Sequence, residues 1–196
     1  MIIFDRAFSD RIIQGDSAAV DELYRHFYKR LLSFAMSYLH DEEEAENIVQ
    51  DAFVMLWERH DTLRPDSNVQ AWLLTVAKNR ILNHLDRMKR RAEAEQAYSE
   101  QIMRDVELSI MSLSACEPEQ MFGEEAKNLV DAALADLSEQ TRQIIVLSRY
   151  ENLSNKEIAE RLDISVKGVE YHITQALKTL RLYLKDYMPI FLILFG

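Results

Sequence analysis

Apolar residues recur at steps of three and four along most of the chain, the spacing that places them on one face of an α-helix. The pattern predicts a short first helix over about Asp5–Gln14, and a longer second helix that Asp16-Ser17 caps and His40-Asp41 ends. The apolar stripe of the second helix comprises Val20, Leu23, Tyr24, Phe27, Leu31, Phe34, Ala35 and Tyr38. Four glycines and three prolines in 196 residues leave few tight turns, so we expect an all-α fold.

Two further helices are predicted before residue 92. The third runs from Asp41 to about Glu58, with acidic residues in its first turn, where the helix dipole favours them. Its buried face comprises Ala45, Ile48, Val49, Ala52, Phe53 and Leu56. The segment Asp61–Asn68 contains a proline and is predicted as a loop, after which Ser67 and Gln70 have the spacing of a capping box for a fourth helix.

The fourth helix has two different faces. One face is typical of a core and comprises Leu74, Ala77, Ile81, Leu85 and Met88. The opposite face mixes an aromatic ring, an amide and three guanidinium groups, and comprises Val69, Trp72, Val76, Arg80, Asn83, Arg87 and Arg90. Two interpretations stay open: a solvated helix face with Trp72 in the core, or a surface on which cations pair with phosphates and planar side chains stack on unstacked bases.

A second helical pattern begins after residue 123. Its first two helices carry Ala126, Leu129, Val130, Ala133, Leu134 and Leu137, and then Ile144, Ile145 and Leu147 behind the cap Ser138. Ser154 and Glu157 form a capping box for a short helix, Asp163-Ile164 turns the chain, and Ser165 caps a longer helix. The inward positions of that longer helix are Val169, Ile173, Ala176, Leu177, Leu180 and Leu184. This is a helix-turn-helix pattern, whose second helix enters the DNA major groove, and a generic helical hairpin is the alternative.

Charge is distributed unevenly between these regions. The chain has 23 basic and 33 acidic residues and a formal net charge of −10, which excludes a protein that coats nucleic acid by charge alone. Residues 92–123 contain one basic and seven acidic side chains, so we predict an acidic linker that is partly helical near its start. Residues 78–91, in contrast, contain six basic side chains and one acidic side chain.

Several classes of site and location are disfavoured. The single cysteine, Cys116, cannot form an internal disulfide, and it is either inert or redox-active. We find no phosphate-binding loop, metal-ligand spacing or nucleophile elbow, so we expect no enzyme activity, metal or cofactor. No signal-peptide pattern is present, and the longest apolar run, Ile190–Phe195, is too short to span a bilayer. We therefore expect a cytoplasmic protein without stable membrane insertion.

Three segments in this order resemble the sigma-70 family of bacterial RNA polymerase sigma factors, in its two-domain extracytoplasmic function (ECF) group. Glu43–Trp57 resembles the region 2 helix that binds polymerase, Ala71–Arg87 resembles the helix that follows it, and Leu137–Arg181 is similar to region 4. The resemblance implies a four-helix region 2 domain in residues 1–91 and a region 4 helix-turn-helix domain in residues 124–187. Residues 92–123 would be a flexible acidic linker, and 188–196 an apolar tail.

The resemblance also implies a function and binding sites. Such a protein binds core RNA polymerase through the β′ clamp helices and the β flap, and directs promoter-specific transcription initiation. The clamp-helix contacts would be Glu44, Asn47, Gln50 and Asp51, which would otherwise be interpreted as a solvated helix face. The residues that melt the −10 element and capture its non-template strand would be Asn68, Trp72, Lys78, Asn79, Arg80, Asn83 and Arg87.

Region 4 of this family reads the −35 element with its recognition helix. The solvent-facing candidates on that helix are Lys167, Glu170, Tyr171, His172, Thr174, Gln175 and Lys178. Three of these depart from the basic residues expected there, namely Glu170, His172 and Gln175, and Gly168 replaces a frequent threonine. The −35 contacts are therefore less well defined by the sequence than the fold is, and His172 alone is typical of an ordinary surface residue.

Other partners and a rival function follow from the same reasoning. The resemblance implies an anti-sigma factor that covers both domains, whereas the apolar tail either packs on region 4 or binds such a partner or a second copy. The alternative function is a stand-alone helix-turn-helix transcriptional regulator whose N-terminal helical domain senses a ligand or dimerises. The two functions differ in whether the isolated chain binds duplex DNA.

Overall fold

The computed structural model describes residues 6–65, 67–95, 100–149, 151 and 153–185. Within these ranges the chain forms helices and no strand, which confirms the all-α prediction. The helices are α1 Arg6–Ile13, α2 Ser17–Leu39, α3 Glu42–Arg59, a 3₁₀ turn at His60–Thr62, α4 Val69–Glu95, α5 Glu100–Ser114, α6 Pro118–Met121, α7 Glu124–Ala135, α8 Glu139–Arg149, α9 Asn155–Leu162 and α10 Val166–Tyr183. None of these helices is both long enough and apolar enough to cross a bilayer.

The described residues divide into two units, of which the first is Arg6–Glu119. Its core is built from the predicted apolar stripes of α2, α3 and α4, which pack against one another. Asp16 caps α2 by accepting hydrogen bonds from the amides of Ala18 and Ala19, and Asp41 caps α3 by accepting one from Glu44. The side chains that are completely buried include Leu23, Phe27, Leu31, Phe34, Leu56, Leu73, Leu74 and Ile81.

The start of α4 differs from the predicted capping box. Asn68, not Ser67, caps the helix, because the amide of Ala71 donates to the Asn68 side-chain oxygen at 3.0 Å. Gln70 points into the protein instead of folding back as the second half of a box, and its side chain is buried. Serine and asparagine are equally good caps. Val69, Gln70 and Ala71 are all buried, and this burial fixes the start of the helix at Val69, so that Asn68 occupies the cap position.

The segment predicted as an acidic flexible linker contains more helix than expected. The helix α4 continues to Glu95, and α5 packs against α4 in the same unit. Leu113 of α5 is fully buried, and Lys89 on α4 forms an ion pair with Glu107 on α5 at 2.7 Å. The first unit therefore extends beyond the predicted four helices to include α5.

The second unit begins at Gln120 and contains the helix-turn-helix. The Ser154–Glu157 capping box is present at α9, Asp163 turns the chain in the left-handed conformation at a φ of 52°, and Ser165 caps α10. The α8, α9 and α10 helices share a core of Ile144, Leu147, Ile158, Ala159 and Val169, against which Leu153, Leu162, Ile164 and Ile173 pack. These local predictions are confirmed, whereas the predicted tail 188–196 lies outside the described residues.

Candidate functional site

One face of α3 carries the predicted polymerase contacts. Asn47, Gln50 and Asp51 are exposed at helical steps of three and four, and Glu44 is half-buried. The same stripe continues with Val54 and Trp57, which are 54% and 46% exposed although both are apolar. Sequence reasoning missed these two residues, although the step from Gln50 to Val54 and Trp57 is the signal that places them on this face. The result is a mixed polar and apolar surface, as is common at protein interfaces.

An ion pair and a side-chain hydrogen bond join this face of α3 to α4. Arg80 Nη1 lies 2.6 Å from Asp51 Oδ2, and His84 Nδ1 lies 2.8 Å from Glu44 Oε1. In each pair the acidic partner is a predicted polymerase contact, and in the first pair the basic partner is a predicted DNA contact. The two predicted surfaces are therefore neighbours that share side-chain contacts.

The predicted DNA-binding residues of α4 divide into two groups. Asn79, Arg80, Asn83 and Arg87 follow one another on a face that is exposed or half-exposed. Lys78 lies away from this group, since its ammonium group donates to the backbone carbonyls of Ser114 and Cys116 at the end of α5. A cation at a helix C-terminus stabilises the unpaired carbonyls there, so Lys78 anchors α5 in this structure.

The start of α4 holds the remaining predicted contacts for the −10 strand. Trp72 is half-buried, so it is neither a fully buried core residue nor a fully exposed one. Asn68 is also half-buried, and its side-chain oxygen is engaged as the helix cap. The 3₁₀ turn before this segment contacts α3, because the His60 ring stacks on the Trp57 ring with ring centroids 5.4 Å apart.

The exposed face of α10 contains six of the seven predicted −35 contacts. Lys167, Glu170, Tyr171, Thr174, Gln175 and Lys178 are exposed at steps of three and four. The prediction that His172 faces solvent is wrong, because its ring is half-buried and its Nδ1 lies 2.8 Å from the Thr141 hydroxyl oxygen of α8. Position 172 follows the exposed Tyr171 and lies at the edge of the exposed face, where its ring contacts α8.

Cys116 lies in the connection after α5 and is buried. Burial raises the pKa of its thiol, although the nearby Lys78 ammonium acts in the opposite direction. A higher thiol pKa leaves less thiolate at neutral pH, which favours the inert interpretation of this cysteine over the redox-active one.

Comparison with known proteins matches both units to one family. The family model for sigma-70 region 2 matches residues 23–91, and the model for sigma-70 region 4 matches residues 127–180. The RNA polymerase sigma-H factor of Pseudomonas aeruginosa is 27% identical over 181 residues, which cover 88% of this chain and 89% of that protein. The ECF RNA polymerase sigma-E factor of Haemophilus influenzae is 27% identical over 173 residues, which cover 88% and 90%. A structure of CnrH in complex with the cytosolic domain of CnrY is 24% identical, covers 93% of this chain and 97% of that one, and has a TM-score of 0.39.

Proposed function

The chain belongs to the sigma-70 family of RNA polymerase sigma factors, in its ECF group, and on this premise we propose which of its residues bind polymerase and DNA. It binds core RNA polymerase and directs promoter-specific transcription initiation. This function is supported most strongly by the match of sigma-70 region 2 and region 4, in that order, to the two compact units. Sigma factors are non-enzymatic initiation factors, and we propose that this chain likewise performs no catalysis and acts in the cytoplasm, where core polymerase is found.

We propose that the α3 face docks on the β′ clamp helices. Acidic and amide side chains at Asn47, Gln50 and Asp51 suit a basic partner surface, and exposed Val54 and Trp57 add apolar area beside them. Buried aromatic residues dominate the binding energy of many interfaces, so Trp57 is the main apolar anchor in this proposal. In the ECF group this surface is also one that we expect an anti-sigma factor to cover.

We propose that the loop before α4 and the exposed face of α4 hold the melted −10 element. Single-strand binding needs cations along the backbone and planar side chains for unstacked bases. Arg80 and Arg87 supply the cations, Asn79 and Asn83 supply amides that hydrogen-bond bases, and Trp72 presents an aromatic ring at the start of the helix. Asn68, which caps α4, is the residue of the preceding loop that contacts the strand in this proposal.

We propose that the exposed face of α10 reads the −35 element. Gln175 can recognise adenine in the major groove, and Lys167 and Lys178 can contact phosphate or guanine. Glu170 suits the amino group of cytosine. Because His172 is bonded to Thr141, it positions α10 against α8 in this proposal and does not read a base.

The experiment that tests the function measures which duplexes the chain retains from a labelled genomic library, alone and with purified core polymerase. A sigma factor retains promoter sequences only together with core, whereas a stand-alone helix-turn-helix regulator retains duplexes by itself. The matched variants Arg87→Ala and Lys89→Ala each remove one cation from α4. Arg87→Ala is expected to weaken promoter retention, and Lys89→Ala is not, because Lys89 is paired with Glu107 on the side of α5. Retention by the isolated chain would favour the regulator.

A further inference from the structure

Of the three cations that the sequence predicts to contact the −10 strand, two are engaged within the chain when it is not bound to polymerase. Lys78 is bonded to the end of α5, and Arg80 is paired with Asp51. The remaining one, Arg87, is exposed on the same face as Arg80. The free chain therefore presents less positive charge to DNA than its sequence indicates, although residues 78–91 are its most basic segment.

The Asp51–Arg80 pair differs from the Lys78 contact because both of its members belong to proposed binding surfaces. The Asp51 side chain is 56% exposed and the Arg80 side chain 35% exposed, so each can reach solvent and a partner. The pair bridges α3 and α4 at 2.6 Å, with Glu44 and His84 forming a second bridge between the same helices. If the Asp51 carboxylate pairs with a cation of the polymerase, its attraction for Arg80 weakens. If Arg80 pairs with a phosphate, its attraction for Asp51 weakens in the same way.

We propose that Asp51 withholds Arg80 from DNA in the free chain, and that core polymerase releases Arg80 by binding the Asp51 carboxylate. The inference rests on the proposed function, since it assumes that Asp51 contacts polymerase and that Arg80 contacts the strand. Binding of polymerase to Asp51 breaks the internal Asp51–Arg80 pair and so frees Arg80 to pair with phosphate. The binding of polymerase and the binding of the strand are therefore cooperative. Coupling of this kind is reciprocal, so the captured strand also favours the contact between Asp51 and polymerase.

The expected size of the effect follows from the exposure of the pair. Ion pairs between partly exposed side chains are weak, and losing one changes an equilibrium by about two- to fivefold. Removing Asp51 therefore raises the affinity of the free chain for single-stranded DNA by about that factor. The effect requires Arg80 and decreases with added salt, because both the ion pair and the phosphate contact are screened.

Fluorescence anisotropy with a labelled oligothymidylate tests this inference on the full chain at low salt. Thymidylate suffices because a contact between arginine and phosphate does not depend on base sequence. The variants are Asp51→Ala, Arg80→Gln and the double variant, and the control is Glu58→Ala, which removes the same charge from the same helix. We expect tighter binding for Asp51→Ala alone, with no gain when Arg80→Gln is also present and less gain for Glu58→Ala.

Three results overturn the inference. An equal gain in the Arg80→Gln background, or an equal gain for Glu58→Ala, shows a general charge effect. An affinity of Asp51→Ala equal to that of the unmodified chain shows that Asp51 is not what keeps Arg80 from DNA. Run-off transcription by the unmodified chain with core polymerase separates this failure from a failure of the proposed function. A chain that initiates at promoters but shows no Arg80-dependent gain retains its function and lacks this coupling.

Discussion

Replacement of Gln70 by leucine is expected to stabilise the first unit. The Gln70 side chain is 1% exposed, and neither its amide nitrogen nor its amide oxygen has a hydrogen-bond partner among the described residues. In the unfolded chain water satisfies both atoms, so folding costs about 1–3 kcal/mol for an unpaired amide. Leucine has a similar size and helix propensity and no polar atoms. We therefore expect Gln70→Leu to raise the free energy of unfolding by about 1–3 kcal/mol.

Urea unfolding followed by tryptophan fluorescence measures this change. Trp57 and Trp72 are the only two tryptophans of the chain and both lie in the first unit, so the signal reports that unit alone. The expected result is a higher midpoint at an unchanged m-value. Gln101→Leu, at an exposed position of α5, is the control and should change stability by less than about 0.5 kcal/mol. A midpoint that stays constant or falls for Gln70→Leu would show that the buried amide is paired in solution, for example by water.

Three further predictions concern the turn before α2, the cap of α9 and the buried thiol. Gly15→Ala should destabilise the first unit by about 1–3 kcal/mol in the same urea assay, because Gly15 has a φ of +82° and an added Cβ would lie 3.0 Å from His60 Nε2. Hydrogen bonds from Ser154 hold the pKa of Glu157 below its ordinary value of 4.5. The unmodified chain should therefore be more stable than Glu157→Gln to thermal unfolding. This difference should be complete above pH 4.5 and should vanish as the pH falls through the folded-state pKa of Glu157. Iodoacetamide should modify Cys116 at least about tenfold more slowly in the folded chain than in urea, as measured by mass spectrometry, and an equal rate would contradict its burial.

Local features of the fold could be predicted because neighbouring residues determine them. The capping box of Ser154 and Glu157, the cap Ser165 and the apolar stripes of α2 to α4 all depend on residues a few positions apart. The cap of α4 shows where this reasoning fails. Ser67 and Asn68 are both suitable caps, and only the burial of the following residues in the assembled unit favours Asn68.

Features that depend on distant segments could not be predicted. The acidic composition of residues 92–123 is typical of a linker, and it does not indicate that α5 packs on α4 with Leu113 buried. Nothing local links Lys78 to carbonyl groups 36 and 38 residues away. The Asp51–Arg80 pair, 29 residues apart, depends in the same way on how α3 and α4 pack. The sequence therefore placed the candidate residues on the correct helices, but it could not say which of them are exposed and which are already engaged.

Run-off transcription with purified core polymerase tests the central claim most directly. Core polymerase, a genomic template library and this chain are mixed, and the transcripts are sequenced with and without the chain. If the chain is a sigma factor, we expect new transcripts that begin at defined positions downstream of a shared sequence motif. These transcripts should be absent when the chain is denatured by heat before it is added. An active core that yields no new promoter-specific transcript when the folded chain is added would contradict the assignment.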